Sequence, residues 1–287
     1  MKPFVTVGLD GTPESLSAAL WAAQEAHARG VPLRLMHAWV LLAPEGGEHP
    51  VENDQNYWPK RIVAEAGRVI AERFPDLPLH EDLVAEEPVE ALLEAAGESE
   101  PLVLGSRDMA PMASYFLGDI GLHVLARSEG PTVLVRARED STPFAEDGEV
   151  TVGLSLHGPC DALIEYAFDT AARRGVTLRA VHGRNLPPSA YTRVGIDPYM
   201  AEELTKRAQR DLTEALRSWG EKFGDVPVTE IVRMESPARA VVRDAAETGL
   251  LVVGRRTPRH ALSPRIGHVL SAAIHHAPCP VAVVPHE

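Results

Sequence analysis

The chain has 287 residues, of which 45% are hydrophobic and 24% are charged, and its formal net charge is −13 at pH 7. This length suits about two domains of ordinary size, and the composition excludes a disordered chain. The acidic excess lies in one half, because residues 1–148 carry 11 Lys and Arg against 25 Asp and Glu, whereas residues 149–287 carry 17 against 16. Since an acidic surface repels polyanions, we expect no nucleic-acid partner.

Short β-rich runs alternate with longer segments of helical period through the first half of the chain. The runs that predict strands are residues 4–9, 33–39, 79–85, 102–105 and 132–136. The segments that predict helices are residues 14–29, 57–73, 88–97 and 119–127. Strict alternation implies parallel strands joined by right-handed crossovers. We therefore predict an α/β fold with an open five-stranded parallel sheet and helices on both faces.

The second half of the chain repeats the first. Residues 5–39, which begin VTVGLDGTPES, align with residues 150–184 at an offset of 145, and residues 86–106 align with residues 235–255 at an offset of 149. The chain therefore contains two tandem copies of one domain. We predict two domains and the linker between them, at residues 1–138, 149–287 and 139–148.

Ligands of such sheets bind at the carboxyl ends of the strands, where the order of the connections reverses. In the first domain, the turn LDGTPES at 9–15 and the loop that follows the fourth strand are expected to meet there. Gly105 and Gly118 would let an anion approach the backbone and the N-terminus of a helix. The longer stretches predicted as loops near the same end, with lengths that suit lids, are residues 40–60 and 184–198.

Three stretches carry a family resemblance: the opening VTVGLDGTPES, the turns VLGSR and VVGRR after the fourth strands, and HHAPCPVAVV near the C-terminus. In these stretches the chain resembles the universal stress protein family in its tandem form, and the resemblance covers nearly the whole sequence. It implies two tandem Rossmann-like domains of the adenine nucleotide alpha hydrolase-like type. It also implies an adenine nucleotide as ligand, held by an acidic residue after strand one and by a motif after strand four. That motif is a Gly, two residues, a Gly, nine residues, and a Gly followed by Ser or Thr.

In the first domain the motif has two departures from the family pattern. Gly105 and Gly118 are kept, but Asp108 replaces the middle glycine and Asp119 replaces the hydroxyl residue. A carboxylate about 5 Å from a phosphate oxygen costs roughly 3 kcal/mol at an effective dielectric constant of about 20. We therefore expect weak ATP binding here unless Mg bridges the carboxylates and the phosphates. The candidate nucleotide contacts of this domain are Asp10, Gly11, Thr12, Ala38, Gly105, Asp108, Gly118 and Asp119.

The second domain departs from the family pattern in the opposite way. It keeps Gly254 and Gly267, but it has Thr257 and His268 in the motif and Ser155 in place of the acidic residue. Its motif loop concentrates cations that suit phosphate or another anion. These cations are Arg255, Arg256, Arg259, Arg265, His260 and His268. The candidate nucleotide or anion contacts of this domain are Ser155, Gly254, Arg255, Arg256, Gly267 and His268.

The main candidates also have structural explanations. Asp10 either contacts ribose or forms an Asx turn that caps the helix beginning near Pro13. Asp119 either faces phosphate or caps the helix that it opens, which would fill the anion site with the protein's own carboxylate. The arginines of the second motif either bind a ligand or pair with the acidic first half. We expect His37 and His182, which recur in the repeat, to serve packing.

No pattern in the sequence indicates catalysis or metal binding. We find no nucleophile elbow, Walker lysine, metal-binding helix motif or zinc-like Cys/His spacing. The two cysteines, Cys160 and Cys279, are expected to be reduced and structural. No apolar run is long enough to span a bilayer, and MKPFVTVGLDG lacks the layout of a signal peptide. We expect a cytoplasmic protein with no membrane partner.

These inferences together predict a noncatalytic stress-response or regulatory protein with degenerate ATP sites, for which ATP with Mg is the candidate cofactor. The alternatives are a protein-interaction scaffold that binds no nucleotide and a slow ATPase. The fifth strands should lie at sheet edges, where an apolar edge needs covering. The resemblance implies that the two domains pair through these strands, and a homodimer of the whole chain is a further expectation.

Overall fold

The computed structural model describes residues 4–40, 57–106, 119–137, 148–192, 195–246, 248–257 and 266–286. The chain forms two compact units, residues 1–142 and 143–287. Each unit has the predicted α/β fold with a five-stranded parallel sheet. Within the described part of the chain, no helix combines the length and the apolar character needed to cross a membrane. Apart from Gly148, the predicted linker at 139–148 lies outside the described residues.

The first unit alternates strands and helices in the predicted order. Its strands are β1 (Phe4–Gly8), β2 (Leu33–Ala38), β3 (Leu79–Val84), β4 (Ser99–Ser106) and β5 (Thr132–Arg136). Its helices are α1 (Pro13–Arg29), α2 (Tyr57–Arg73), α3 (Pro88–Gly97) and α4 (Asp119–Arg127). Strand β4 begins at Ser99 rather than at the predicted Leu102, because Ser99 pairs with Phe4 before a register shift in the β1–β4 ladder. The polar residues and the proline before Leu102 give no strand pattern in the sequence.

The sheet of the first unit has the order β3-β2-β1-β4-β5, and its neighbouring strands are parallel. The chain moves outward from β1 to β3 and then returns to β4 on the other side of β1. The order of connections therefore reverses between β1 and β4, and ligands of such sheets bind at the carboxyl ends of those strands. The middle of both strands is mostly apolar and buried, as expected for the centre of a parallel sheet covered by helices; Val7 and Val103, for example, are inaccessible to solvent.

Local chemistry sets both ends of α1. Thr12 precedes the helix in an extended conformation, and its Oγ1 accepts a hydrogen bond from the Ser15 backbone N–H at 3.2 Å. Pro13 presets the first helical φ. Gly30 ends the helix with a φ of 64°, in the left-handed region that glycine adopts without strain. Gly175 ends the corresponding helix of the second unit with the same φ, which explains this repeated pair of glycines.

The second unit has the same architecture with one addition. Its five main strands are β6 (Glu149–Gly153), β7 (Leu178–Gly183), β10 (Val228–Arg233), β11 (Thr248–Arg256) and β12 (Val281–His286). Its helices are α5 (Asp161–Arg174), α6 (Pro198–Lys222), α7 (Pro237–Asp244) and α8 (His268–His276). The sheet order β10-β7-β6-β11-β12 is parallel and reverses between β6 and β11.

The addition lies in the stretch 184–198, which the sequence predicts as a loop. A short 3-10 helix (Pro188–Ala190) leads there into an antiparallel hairpin of β8 (Tyr191–Thr192) and β9 (Gly195–Ile196). Strands this short carry no periodic signal in a sequence, so the pattern could not indicate them.

Candidate functional site

In the first unit, residues 10–12 form the turn between β1 and α1. The Oδ1 atom of Asp10 accepts hydrogen bonds from the Thr12 backbone N–H at 3.0 Å and from the Thr12 hydroxyl at 2.5 Å. This is the geometry of an Asx turn, one of the two roles that the sequence allows for Asp10. Gly11 lies between these residues with a φ of 80°. The turn is thus held by its own side chains.

In each unit, a histidine near the end of the second strand donates a hydrogen bond to the backbone just after the first strand. The Nδ1 of His37 donates a hydrogen bond to the Leu9 carbonyl oxygen at 2.7 Å, and the Nδ1 of His182 donates to the Leu154 carbonyl oxygen at 3.0 Å. A carbonyl oxygen only accepts, so Nδ1 carries the hydrogen in both rings. His37 also stacks on Trp39, with ring centroids 6.1 Å apart. These contacts explain why the histidine recurs in the repeat.

Gly105 lies near the end of β4 and packs beside the first turn of α1. A Cβ atom on Gly105 would lie 2.6 Å from the Glu14 carbonyl carbon and 2.7 Å from the Ser15 backbone nitrogen. No side chain fits in that space. Because Gly105 has no side chain, α1 can pack closely against this part of β4. Ala38, the predicted base contact, ends β2, where it pairs with Val84 and is partly buried.

A cleft of about 460 Å³ opens between the turn at 9–13 and α2. It contains the predicted residues of the turn, whereas Ala38 and Gly105 are not among its lining residues in the described part of the chain. The charged residues of this lining are Asp10, Arg61 and Glu65. Two carboxylates against one guanidinium make this cleft a poor environment for a phosphate chain.

The rest of the first predicted cradle is only partly described. Asp108 and Gly118 lie outside the described residues. Helix α4 begins at Asp119, and the capping role of this residue stays a prediction. Contacts of the two carboxylates with phosphate or Mg stay predictions. Most of the loop 40–60 and, in the second unit, Arg259, His260 and Arg265 also lie outside the described residues.

The second unit begins its first helix later than the first unit does. At the repeat offset of 145, Gly158 corresponds to Pro13, but α5 begins only at Asp161. Cys160 precedes the helix and makes no side-chain capping hydrogen bond. The loop 154–160 therefore stands where α1 has its first turn in the first unit.

Side chains, rather than helix backbone, lie beside the corresponding glycine of the second unit. A Cβ atom on Gly254 would contact the ring of His286, with the Cδ2 atom at 2.6 Å, and the side chain of Leu163 at 3.2 Å. The Nδ1 of His286 donates a hydrogen bond to the Pro159 carbonyl oxygen at 3.1 Å. The imidazole thus bridges the end of β12 and the loop that replaces the helical turn.

This loop borders a cleft of about 840 Å³ within the second unit. The cleft lies at the carboxyl ends of β6, β7, β11 and β12, on both sides of the point where the strand order reverses. The first residues of α7 and α8 form part of its wall. All the predicted contacts of this domain line the cleft, namely Ser155, Gly254, Arg255, Arg256, Gly267 and His268.

The lining of this cleft is rich in basic side chains. In the part of the chain that the structure describes, it includes three arginines and four histidines and no Asp or Glu. These residues are Arg184, Arg255, Arg256, His157, His182, His268 and His286. Arg255 is 6% exposed, whereas Arg256 is exposed and its Nη2 donates a long hydrogen bond to the Ser155 hydroxyl at 3.4 Å. A neutral oxygen thus stands where the first unit has the Asp10 carboxylate.

Sequence reasoning missed three basic members of this cleft, His157, Arg184 and His286, and it assigned a fourth, His182, to packing alone. Each lies at the carboxyl end of a strand or within a few residues of it. That position is the signal that could have indicated them, because residues at this edge of the sheet converge at the switch point.

Cys160 contributes a thiol to the wall of the cleft. Burial raises the pKa of the Cys160 thiol, the Asp161 carboxylate raises it further, and the Arg256 guanidinium lowers it in part. The group is therefore mainly a neutral thiol at pH 7. Cys160 and Cys279 are both buried, and neither forms a disulfide.

Comparisons with known proteins agree on one family. The model of the Universal stress protein family matches residues 4–136 and 148–285. Universal stress protein Rv2005c of Mycobacterium tuberculosis is 30% identical over 286 residues, which cover 97% of this chain and 96% of that protein. A universal stress protein of Mycolicibacterium smegmatis is 29% identical over 293 residues, which cover 98% and 96% of the two chains.

The fold has a close match among solved structures. The crystal structure of a universal stress protein from Archaeoglobus fulgidus superposes with a TM-score of 0.70, covering 99% of this chain and 98% of that one. The sequences of the two chains are 15% identical, so this likeness concerns the fold alone.

Proposed function

Because the chain belongs to the universal stress protein family, with one family domain in each half, we propose that it is a noncatalytic regulatory protein of the stress response. In this proposal, the cleft of the second unit binds the phosphates of an adenine nucleotide. The observation that carries the proposal is the set of charges in that cleft, whose described lining has three arginines and four histidines without a carboxylate. Guanidinium groups bind phosphate oxygens through charge-assisted hydrogen bonds.

The size and the backbone of the cleft also suit an anionic ligand. Its volume of about 840 Å³ lies within the range of roughly 300–1,000 Å³ that is common for small-molecule sites. The first residues of α7 and α8 lie in its wall, and the N-terminal end of a helix favours a negative charge.

We further propose that this cleft recognises the phosphate chain and contributes little to binding of the nucleoside. The family resemblance implies an acidic residue beside ribose, but here Ser155 occupies that position and accepts a hydrogen bond from Arg256. ATP and inorganic tripolyphosphate are therefore expected to bind with similar affinity, whereas adenosine alone is expected to bind poorly.

The cleft of the first unit is proposed to bind phosphates weakly. Asp10 and Glu65 lie in its described lining together with the guanidinium of Arg61, and the Asp10 carboxylate is engaged in its own turn. Repulsion between carboxylates and phosphates opposes binding there. A chain that bound no nucleotide at either cleft would instead fit the scaffold alternative.

The proposal that the protein is noncatalytic follows from the same lining. Hydrolysis of ATP needs a group that positions or deprotonates the attacking water. In the described lining of the second cleft no carboxylate is available for this role, and a thiol whose pKa is raised, like that of Cys160, is a weak nucleophile at neutral pH.

The test is calorimetric titration of the full chain with ATP, tripolyphosphate and adenosine, repeated with Arg256→Gln. Removing one charged hydrogen-bond donor costs about 1.5–3 kcal/mol, so the Kd for ATP should rise roughly ten- to hundredfold. Arg173→Gln is the matched control, because Arg173 lies on α5 outside the lining and pairs with Asp169 at 2.8 Å. Equal ATP affinity in all three proteins would overturn the proposed site.

A further inference from the structure

We propose that His286 is a positioning residue, which holds the loop 154–160, and through it the Arg256 guanidinium, in place for the anion that the cleft of the second unit binds. This inference rests on the proposed function and concerns the same cleft. It gives His286 a role that depends on its contact with the loop and not on a contact with the anion.

His286 and Arg256 are neighbours at the ends of two adjacent strands. His286 is the last residue of β12, Arg256 is the last residue of β11, and the two are paired in the register of this parallel ladder. Successive side chains of a strand point to opposite faces of a sheet, and paired residues share a face. The imidazole and the guanidinium therefore leave the sheet on the same side.

Both side chains reach the loop 154–160 and contact it at neighbouring residues. The Nη2 atom of Arg256 lies 3.4 Å from the Ser155 hydroxyl oxygen, and a Cβ atom on Gly158 would lie 3.8 Å from the same nitrogen. The Nδ1 of His286 donates its hydrogen bond to the next residue of the loop, at 3.1 Å from the Pro159 carbonyl oxygen. The loop segment beside the guanidinium is thus the segment to which the imidazole is bonded.

The imidazole ring is itself fixed by packing against β11. A Cβ atom on Gly254 would lie 2.6 Å from the Cδ2 atom of His286, so the ring can occupy this place only beside a glycine. In the first unit the backbone of α1 lies at the corresponding place beside Gly105. The ring of His286 therefore fills the space between the strand and the loop, and it sets the distance between them.

Of the two side-chain hydrogen bonds to the loop, the one from His286 is the shorter. At 3.4 Å the bond from Arg256 to Ser155 is long, and it contributes little to holding the loop. A guanidinium that is already held in place binds an anion more tightly than a mobile one, because less conformational entropy is lost on binding. Loss of the His286 donor is therefore expected to weaken anion binding.

The test compares three substitutions of His286 by calorimetric titration of the full chain with ATP. Asn places an amide N–H donor where Nδ1 lies, Gln places it one bond farther from the backbone, and Ala has no donor. We expect the Kd for ATP to rise about three- to tenfold in His286→Ala and His286→Gln, as for the loss of one neutral hydrogen bond. In His286→Asn it should stay within about twofold of the unmodified chain.

The asparagine variant separates positioning from direct contact. If His286→Asn bound ATP as weakly as His286→Ala, the hydrogen bond to Pro159 would not be what matters, and the positioning role would be overturned. The matched control is His276→Ala, which removes a histidine at the end of α8 outside the described lining and should leave the Kd unchanged.

A double variant tests whether His286 acts through Arg256. Residues that act through a common contact have non-additive effects. In the Arg256→Gln chain, the further change His286→Ala should alter the Kd for ATP by less than about twofold. A further loss as large as the one in the unmodified chain would overturn the link to Arg256.

The thiol of Cys160 reports the position of the loop independently of ligand binding. Cys160 is the last residue of the loop and is 9% exposed, whereas Cys279, which is 8% exposed, lies just before β12, at the other end of that strand from His286. An uncharged maleimide should label Cys160 faster in His286→Ala and His286→Gln than in the unmodified chain and His286→Asn. Labelling of Cys279 should be equal in all four proteins, which verifies that the variants fold. Equal labelling of Cys160 in all four would overturn the inference.

The results for the unmodified chain separate the two proposals. If it binds ATP and His286→Ala binds ATP equally well, this inference is overturned and the proposed anion site stands. If the unmodified chain binds no ATP, both are overturned.

Discussion

One glycine position has different neighbours in the two units. Gly105 and Gly254 each follow the hydrophobic core of a fourth strand, and the family pattern assigns both to a phosphate-binding motif. In the first unit the space beside the glycine is filled by the backbone of α1, and in the second it is bordered by the side chains of His286 and Leu163. A side chain can move aside for a ligand more readily than a helix backbone can. The presence of this glycine alone therefore does not indicate which cleft can admit a ligand.

The packing role of Gly105 predicts that Gly105→Ala destabilises the protein. The added Cβ would lie 2.6 Å from the Glu14 carbonyl carbon, and overpacking of this kind costs about 1–3 kcal/mol. Urea unfolding should show a lower midpoint. Gly97→Ala is the control, because Gly97 is the last residue of α3 and a Cβ there would meet no atom within 4 Å. Equal midpoints for Gly105→Ala and the unmodified chain would contradict the packing role.

At the scale of elements, the alternation of strands and helices could be predicted from the sequence, because the apolar runs and the residues at the helix ends form clear patterns. The central residues of β1 and β4 are buried and mostly apolar, and α1 has a proline at its start and a glycine at its end. The late start of α5 was not indicated by the repeat alignment, which pairs Gly158 with Pro13, the first residue of α1. Gly158 and Pro159 mark the difference, since a residue before proline avoids the helical conformation.

The site was predictable only in part for a related reason. The sequence motif indicated Ser155, Arg255 and Arg256, because these residues lie at positions that the family pattern defines. His157 and His286 join the same cleft through the shortened helix and the end of the last strand. Such convergence depends on side-chain directions and on the length of α5, and neither can be derived from the spacing of motifs.

At the scale of the whole molecule, the pairing of the two domains through their fifth strands stays a prediction. Within its own unit, β5 pairs with β4 and β12 pairs with β11, and each lies at an end of that unit's sheet. An apolar strand at a sheet edge needs a cover. We therefore expect small-angle scattering from the full chain to fit one compact particle, and a profile of two separated lobes would contradict the pairing.

The two halves share a fold but differ in charge. Residues 1–148 carry the whole acidic excess, and the first cleft includes two carboxylates. The second cleft has a basic lining and a longer loop where the first has a helical turn. Our central proposal is that the two units diverged after duplication, so that the second unit is expected to hold the anion and the first to bind it only weakly.

Native mass spectrometry of the full chain titrated with ATP tests this claim most directly, because it counts bound nucleotides per chain. We predict one ATP per chain, bound much more weakly in Arg256→Gln and as in the unmodified chain in Asp10→Asn, which retains the oxygen that accepts hydrogen bonds from Thr12. Two nucleotides per chain, none, or one that disappears in Asp10→Asn and persists in Arg256→Gln would contradict the account.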